Sequence, residues 1–381
     1  MMAATYYIAL KDQEGIRVAQ FDQFPAVSYQ RERNNPGSYE FSLDFRDERA
    51  GMFELDGQVE VWRRGDWDGA EWEPEFEGFH RRWEDLTGTR GEPLLKSIGP
   101  GYLDLLAARY GFYWHWDTTP LIQDGYFTVT ATPPEIIAEF VFYEAGPGAL
   151  YTLGPPFTPD RCQPGLTVAA PPVIGDVFTE RFRNEQLLDK VRGIAEAYGL
   201  DIRIVGIGPA EFEFRVAEVG VDRRVGNPDF RAPVIFSLEH GNMEKPRYIE
   251  DTLDEINDVY VGGQGGGQYR TIERIQALNR IEASPWNRRE MFIDARDATE
   301  AATLQARGRK VLKERGPIFD LSFQITETEA CKYKRDWDLG DLVTAIYGDI
   351  QRDYRIVSVT VSVNDRGVET LDLGLVEYVA A

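Results

Sequence analysis

The sequence predicts a mainly β protein in which two β modules, small barrels or sandwiches, flank a mixed α/β middle region. Three observations carry this expectation. Residues 1–92 contain short runs of strict apolar/polar alternation joined by turn signals, as half-buried antiparallel strands do. Residues 93–228 add runs with helical periodicity. From residue 229 to 381 alternation returns, interrupted by one helical stretch. Strands at both ends with helices between them suggest small barrels or sandwiches around an α/β insertion.

In the first module, Tyr6–Leu10 and Ile16–Phe21 are strand-like runs about a turn at Asp12–Gly15. Asn34-Asn35-Pro36-Gly37 is a strong turn, and Tyr39–Phe45 after it alternates at every position. Gln58–Trp62 alternates too, Asp66-Trp67-Asp68-Gly69 reads as a hairpin turn, and Glu75–Phe79 as the returning strand. In the middle region, Gly99-Pro100-Gly101 precedes a short helix over Tyr102–Tyr110. Pro133-Pro134 opens another over Glu135–Val141, ended by Gly146; proline in the first turn and glycine past the end is the expected asymmetry. Residues 146–176, rich in Gly and Pro, read as a loop. Leu187, Leu188, Val191, Ile194, Ala195 and Tyr198 make one apolar stripe, with Gly199 as the cap. Asp201–Val205 and Glu211–Val216 follow as strands.

In the last module, Val234–Leu238 and Asp258–Val261 are strand-like, and Ala298–Lys313 is helical with Ala301, Leu304, Gly308, Val311 and Leu312 on one face. Phe319–Ile325 and Leu342–Tyr347 are strands. Arg355–Val363 and Glu369–Leu375 form a hairpin about Asn364-Asp365-Arg366-Gly367.

Composition narrows the function. The 381 residues carry 42 Lys+Arg against 64 Asp+Glu, a net charge of −22. Such a chain repels nucleic acid unless its bases cluster, and Arg63-Arg64, Arg81-Arg82, Arg223-Arg224 and Arg288-Arg289 are isolated pairs. Sequence-specific nucleic-acid binding is therefore not expected. No apolar run approaches a membrane span, and the N-terminus shows no basic stretch before an apolar one, so neither a span nor a secretory signal is expected. Cys162 and Cys331 are the only cysteines, which excludes a CxxC zinc or redox motif and a disulfide framework. Three histidines, His80, His115 and His240, leave little material for imidazole chemistry.

Four patterns invite a chemical reading, and each has a plainer one. Gly262–Gly267 lacks the Lys-Ser/Thr of a phosphate loop, since Gln268, Tyr269 and Arg270 follow; a hairpin loop between two strands is expected. Asp336-Trp337-Asp338-Leu339-Gly340-Asp341 starts like a calcium loop but has Gly340, Asp341 and Tyr347 at positions 5, 6 and 12; a tight turn is expected. Glu71, Glu73, Glu75 and Glu77 occupy alternate positions and would form one solvated acidic face of a strand. Trp114-His115-Trp116-Asp117 pairs a His with an Asp but reads as an aromatic-rich edge strand. No catalytic, cofactor-binding or metal-ligating residue is assigned.

The order of motifs resembles that of phage tail hub proteins. Asn34–Leu43, Leu55–Arg63 and Phe76–Phe79 are similar to the "G-x-F-x-L", "D-x-V-x-V" and "F-x-G" strands of that family's first barrel. Asn257–Gly263 resembles its "N-x-V-x-V-x-G" segment, and Leu187–Tyr198 its "L-L-x-x-L-x-x-I-A" helix. Asp336–Val343 resembles its "D-x-D-L-G-D-x-V" turn and strand, and Arg355–Val361 and Leu371–Leu375 follow at the expected places. The resemblance implies a structural virion protein, not an enzyme, at the tail tip or baseplate. It implies two barrels and an α/β insertion, and a ring-shaped homotrimer joining the tail tube, tape measure and distal tail protein to a tip or fibre protein, with a channel for the genome. An acidic lumen would keep that genome from sticking. The chain ends at Ala381, directly after the second barrel, so a minimal hub without its own hydrolase is expected. Two alternatives remain: the hub of a contractile injection system, and a cell-wall glycan hydrolase using residues such as Glu73, Glu77 or Asp117 as acid and base.

Overall fold

The computed structural model describes residues 4–87, 91, 93–111, 122–123, 125–149, 161–296 and 300–378. The chain forms two compact units, one of residues 1–245 with 323–381 and one of residues 246–322.

The larger unit holds most of the strands. A four-stranded antiparallel sheet runs Arg17–Phe21, Thr5–Lys11, Gln58–Arg64, Glu73–Phe79. Ser38–Asp44, Ala26–Glu32, Pro93–Pro100 and Arg82–Thr87 do not join it. They extend a ten-stranded sheet whose other members include Leu342–Tyr347, Ile350–Asn364 and Glu369–Glu377. The seam is the antiparallel pairing of Ala26–Glu32 with Ile350–Asn364, from Ala26↔Asn364 to Glu32↔Ser358. Strands of both anticipated β modules thus share one sheet. Among the described residues none of the sheets closes on itself, so where barrels were expected the strands form open sheets. The two sheets pack through aromatic rings: Phe21 lies edge-on to Phe41 with centroids 5.2 Å apart, and Phe76 sits 5.8 Å from Tyr39 and 6.2 Å from Tyr29. The mostly-β class with a mixed α/β part is as the sequence led one to expect.

The α/β part has its own core. The helix Pro133–Glu144 begins where Glu135 Oε2 accepts from the Thr132 N–H at 2.9 Å and the Thr132 hydroxyl at 2.6 Å, holding the first turn. The helix Leu187–Ala197 buries Leu187, Leu188, Val191, Ile194 and Ala195 of the anticipated stripe, whereas Tyr198 at its C-terminal cap is exposed, and Gly199 follows at φ +65°. Both pack on two three-stranded sheets. One runs Phe178–Phe182, Tyr126–Ala131, Ile122–Gln123; the other runs Leu166–Val168, Glu211–Glu218, Leu200–Gly208. The helix expected over Tyr102–Tyr110 is one turn, Asp104–Ala107.

The smaller unit is a three-stranded sheet, Ile272–Gln276, Asp258–Gly262, Glu290–Asp294, with the helix Ala301–Glu314 on one face. Gly308 stands where a Cβ would come 2.4 Å from Ile275 Cδ1, so any larger residue there would make the Ile275 side chain shift. Gly262–Gly267 lie in and after the middle strand and lead into its antiparallel neighbour, the hairpin the sequence indicates.

Candidate functional site

Three motifs distant in sequence meet at one cleft of about 310 Å³ in the larger unit. It is lined by the Asn34–Pro36 turn, by Glu75, Phe76 and Glu77, and by Lys334, Asp338 and Leu339, with Asp201–Val205 on another side. The turn is pinned to the α/β part. Asn34 is buried at φ +58°, its Nδ2 donates to Leu200 O at 3.1 Å and its Oδ1 accepts from Ile202 N at 2.9 Å. Arg33 adds Nε to Asp201 Oδ1 at 2.7 Å and Nη2 to Leu200 O at 3.0 Å. Asn tolerates this left-handed backbone and supplies both a donor and an acceptor, which explains its place in the turn.

The Asp336–Asp341 stretch is the tight turn before the Leu342–Tyr347 strand. Its carboxylates hold protein groups. Asp341 accepts from Val221 N at 2.7 Å and from Asp338 N at 3.0 Å, and Asp336 accepts from Lys332 N at 2.7 Å. Asp338 meets Arg31 Nη1 at 2.6 Å and Lys334 Nζ at 2.9 Å. Burial alone would raise its pKa, but the two cations outweigh that and hold it at about 2. Among the described residues no group of acidic, His or Cys side chains is arranged to hold a metal ion.

The expected solvated comb of glutamates is overturned. Glu71 and Glu73 are exposed, but Glu75 is buried and Glu77 half-buried. The cause is a β-bulge. Val61 pairs with Phe76 and Trp62 with Pro74, so Glu75 is an extra residue and the alternation breaks there. Glu75 turns inward, where its Oε2 accepts from the Tyr333 hydroxyl at 2.8 Å and lies 3.8 Å from Arg31, while Oε1 lies 3.6 Å from Lys334. Arg31 also donates to Tyr333 Oη at 2.6 Å. A buried carboxylate is tolerable only with such partners.

A second buried charge lies on the adjacent strand. Arg63, 2% exposed, donates from Nε to Tyr6 Oη and to Glu369 Oε2, each at 2.9 Å, and from Nη2 to Glu369 Oε1 at 3.1 Å. Glu327 lies 3.5 Å away. Burial disfavours the charge, yet Tyr6, Glu369 and Glu327 hold the guanidinium protonated. Lys332, also buried, meets Asp66 at 2.8 Å. These pairs bridge the first and last parts of the chain. Sequence reading singled out Glu75, Asp338 and the Asn34 turn; Arg63 and Glu369 entered it only as part of a basic pair and as a strand end, and Arg31, Lys334 and Tyr333 did not enter it. Their partners stand hundreds of positions away, and single basic or aromatic residues in strands carry no pattern.

Of the carboxylates named for glycan chemistry, Glu73 is exposed and Asp117 lies outside the described residues, as do Trp114, His115 and Trp116. Glu77 faces Glu60 across the strand pair and accepts from Gly206 N at 3.3 Å. Burial first, then the Glu60 charge, pushes its pKa up to about 7. His80 is a core residue whose Nδ1 lies 2.7 Å from Ser97 Oγ, and burial lowers its pKa. Cys331 is a buried free thiol. No helix among the described residues is long and apolar enough to cross a membrane.

This fold is found in phage tail proteins. The 43 kDa tail protein of prophage MuSo2 from Shewanella oneidensis is similar with a TM-score of 0.58 and 12% identity, over 98% of this chain and 98% of that one. A tail protein from Neisseria meningitidis MC58 gives 0.56 and 14%, over 98% and 97%. The lidded PdpA–VgrG complex of Francisella gives 0.52 and 9%, over 99% of this chain and 53% of that one. At these identities the likeness is one of fold. No curated protein matches the sequence. A family model described as Siphovirus ReqiPepy6 Gp37-like protein matches residues 7–374, and the chain belongs to that family. The resemblance to phage tail proteins therefore holds.

Proposed function

We propose that the protein is the hub of a phage tail, a structural virion component at the tail tip or baseplate that works by symmetric assembly and carries out no catalysis. Three copies form a ring, which joins the tail tube, tape measure and distal tail protein on one side to a tip or fibre protein on the other. The channel through the ring passes the genome. The observation that carries this reading is the whole-length match in fold to two phage tail proteins, 98% of this chain in each case. The site supports it: buried charges tie the two ends of the chain into one body, as a load-transmitting ring requires. Its carboxylates are engaged by cations, tyrosine hydroxyls and backbone N–H groups. The net charge of −22 suits a channel lining that DNA does not adhere to.

The likeness to VgrG favours a second reading, the hub of a contractile injection device; this chain spans about half of that protein. Neighbouring genes separate the two readings. The hub reading itself is tested by the mass of the purified protein in solution. A species of about 130 kDa, three times the 43.3 kDa chain, that images as a ring and stacks on tail tubes is expected. A monomer at all concentrations, or one that clears cell-wall glycan, overturns it.

A further inference from the structure

The loop that follows Arg224 presents a single aromatic ring to solvent. Asn227 is buried and its side chain staples the loop: Nδ2 donates to Arg224 O and to Arg231 O, and Oδ1 accepts from Arg231 N, each at 2.9 Å. Phe230 at the tip is 96% exposed and sits at φ +54°. A bulky residue in the left-handed region is uncommon and costs energy, and the exposed ring returns no burial to offset that cost in the isolated chain. Beside it, among the described residues, the Arg231 side chain has one loose ion partner, Asp229 at 3.4 Å, with both side chains about half exposed.

The same chain carries a groove of matching character. A cavity of about 340 Å³ between the helix Pro133–Glu144 and the segment after Leu166–Val168 is lined by Phe142, Val168, Ala170 and Pro171 and rimmed by Glu135 and Glu139. Glu135 is occupied by its hydrogen bonds to Thr132, whereas Glu139 has no hydrogen-bond or ion partner among the described residues. Burial, with the neighbouring Glu135, raises the pKa of Glu139, as befits a carboxylate lacking a cation.

We infer that Phe230 of one copy inserts into this groove on a second copy of the chain, with Arg231 pairing to Glu139 at its rim. The contact is heterologous: knob and groove are different surfaces, so each copy offers one of each, and repetition closes a ring when the rotation allows. A loop whose backbone is stapled beforehand by Asn227 loses less freedom on docking than a slack one. The inference rests on the ring-forming reading above and names its subunit contact.

The test compares oligomer mass against concentration for the wild-type chain, Phe230→Ala, Arg231→Glu, Glu139→Arg and the double charge reversal. Phe230→Ala and each single reversal should weaken assembly by at least about tenfold, as loss of an interface anchor does, and the double reversal should restore it. Phe230→Ala removes a solvent-exposed ring, so its melting temperature as a monomer should not fall. Phe230→Cys with Ala170→Cys, in a Cys162→Ser chain, should give disulfide-linked multimers under mild oxidation. A wild-type chain that is monomeric at every concentration overturns the ring reading together with this contact. A wild-type trimer whose assembly is untouched by these substitutions, or whose cysteine pair links only within one chain, overturns this contact alone.

Discussion

Glu75 and Glu77 stand two positions apart on one strand, yet their surroundings give them opposite electrostatics. Glu75 is met by Tyr333, Arg31 and Lys334. Glu77 is met by Glu60 and one backbone N–H, and keeps its proton to about pH 7 against an ordinary 4.5. Between those two values the folded chain binds more protons at this site than the unfolded one, so stability falls as pH rises from about 4.5 to 7. Glu77→Gln keeps an oxygen for Gly206 and removes the titration. Urea unfolding should show it more stable than the wild type at pH 8, by on the order of 2 kcal/mol, and nearly equal to it at pH 4. An unchanged difference across that range refutes the account. At this scale alternation in the sequence placed Glu71, Glu73, Glu75 and Glu77 on one face. The bulge that turns Glu75 inward leaves no local mark, because it is set by register against Val61 and Trp62 on the partner strand.

At the scale of elements, legibility follows how local the cause is. The stripe of Leu187–Ala197 lies within one helix, and the hairpin of Ile350–Asn364 with Glu369–Glu377 needs one turn; both were readable. The strands Ala26–Glu32, Arg82–Thr87 and Pro93–Pro100 were not singled out, since the prolines at both ends of the last one and the charges along the second obscure alternation. The Asn34 turn was readable as a turn but not as an anchor, because its partners Leu200 and Ile202 lie in another element. That anchoring has a measurable consequence. Asn34→Ala removes both hydrogen bonds, leaves a buried N–H without an acceptor and puts a Cβ-bearing residue with no polar side chain at φ +58°. The expected loss is about 2–3 kcal/mol in chemical denaturation. Asn34→Gly should recover the backbone part alone, so it should fall between the two.

For the whole molecule, the two ends of the chain fold as one piece. Sequence showed two similar stretches of strands and suggested a module at each end; pairing Ala26–Glu32 with Ile350–Asn364 merges their strands, and residues hundreds apart cannot announce such a partnership. Arg63 with Glu369 is the buried ionic counterpart of that seam, and it allows the merger to be measured. Arg63→Met leaves Glu369 and Glu327 near each other without their cation, and should cost about 3–5 kcal/mol. Glu369→Leu leaves Arg63, 2% exposed, with Glu327 and Tyr6, and should cost somewhat less. The double substitution removes the pair together and fills the space with apolar groups, which is often close to neutral, so the two single losses should fail to add by about 2 kcal/mol or more. Additive losses would mean that the Arg63–Glu369 pair does not couple the first and last strands. Coupling of that size, between positions at opposite ends of the sequence, would show that the buried charges bind the strands of both ends into one cooperative body.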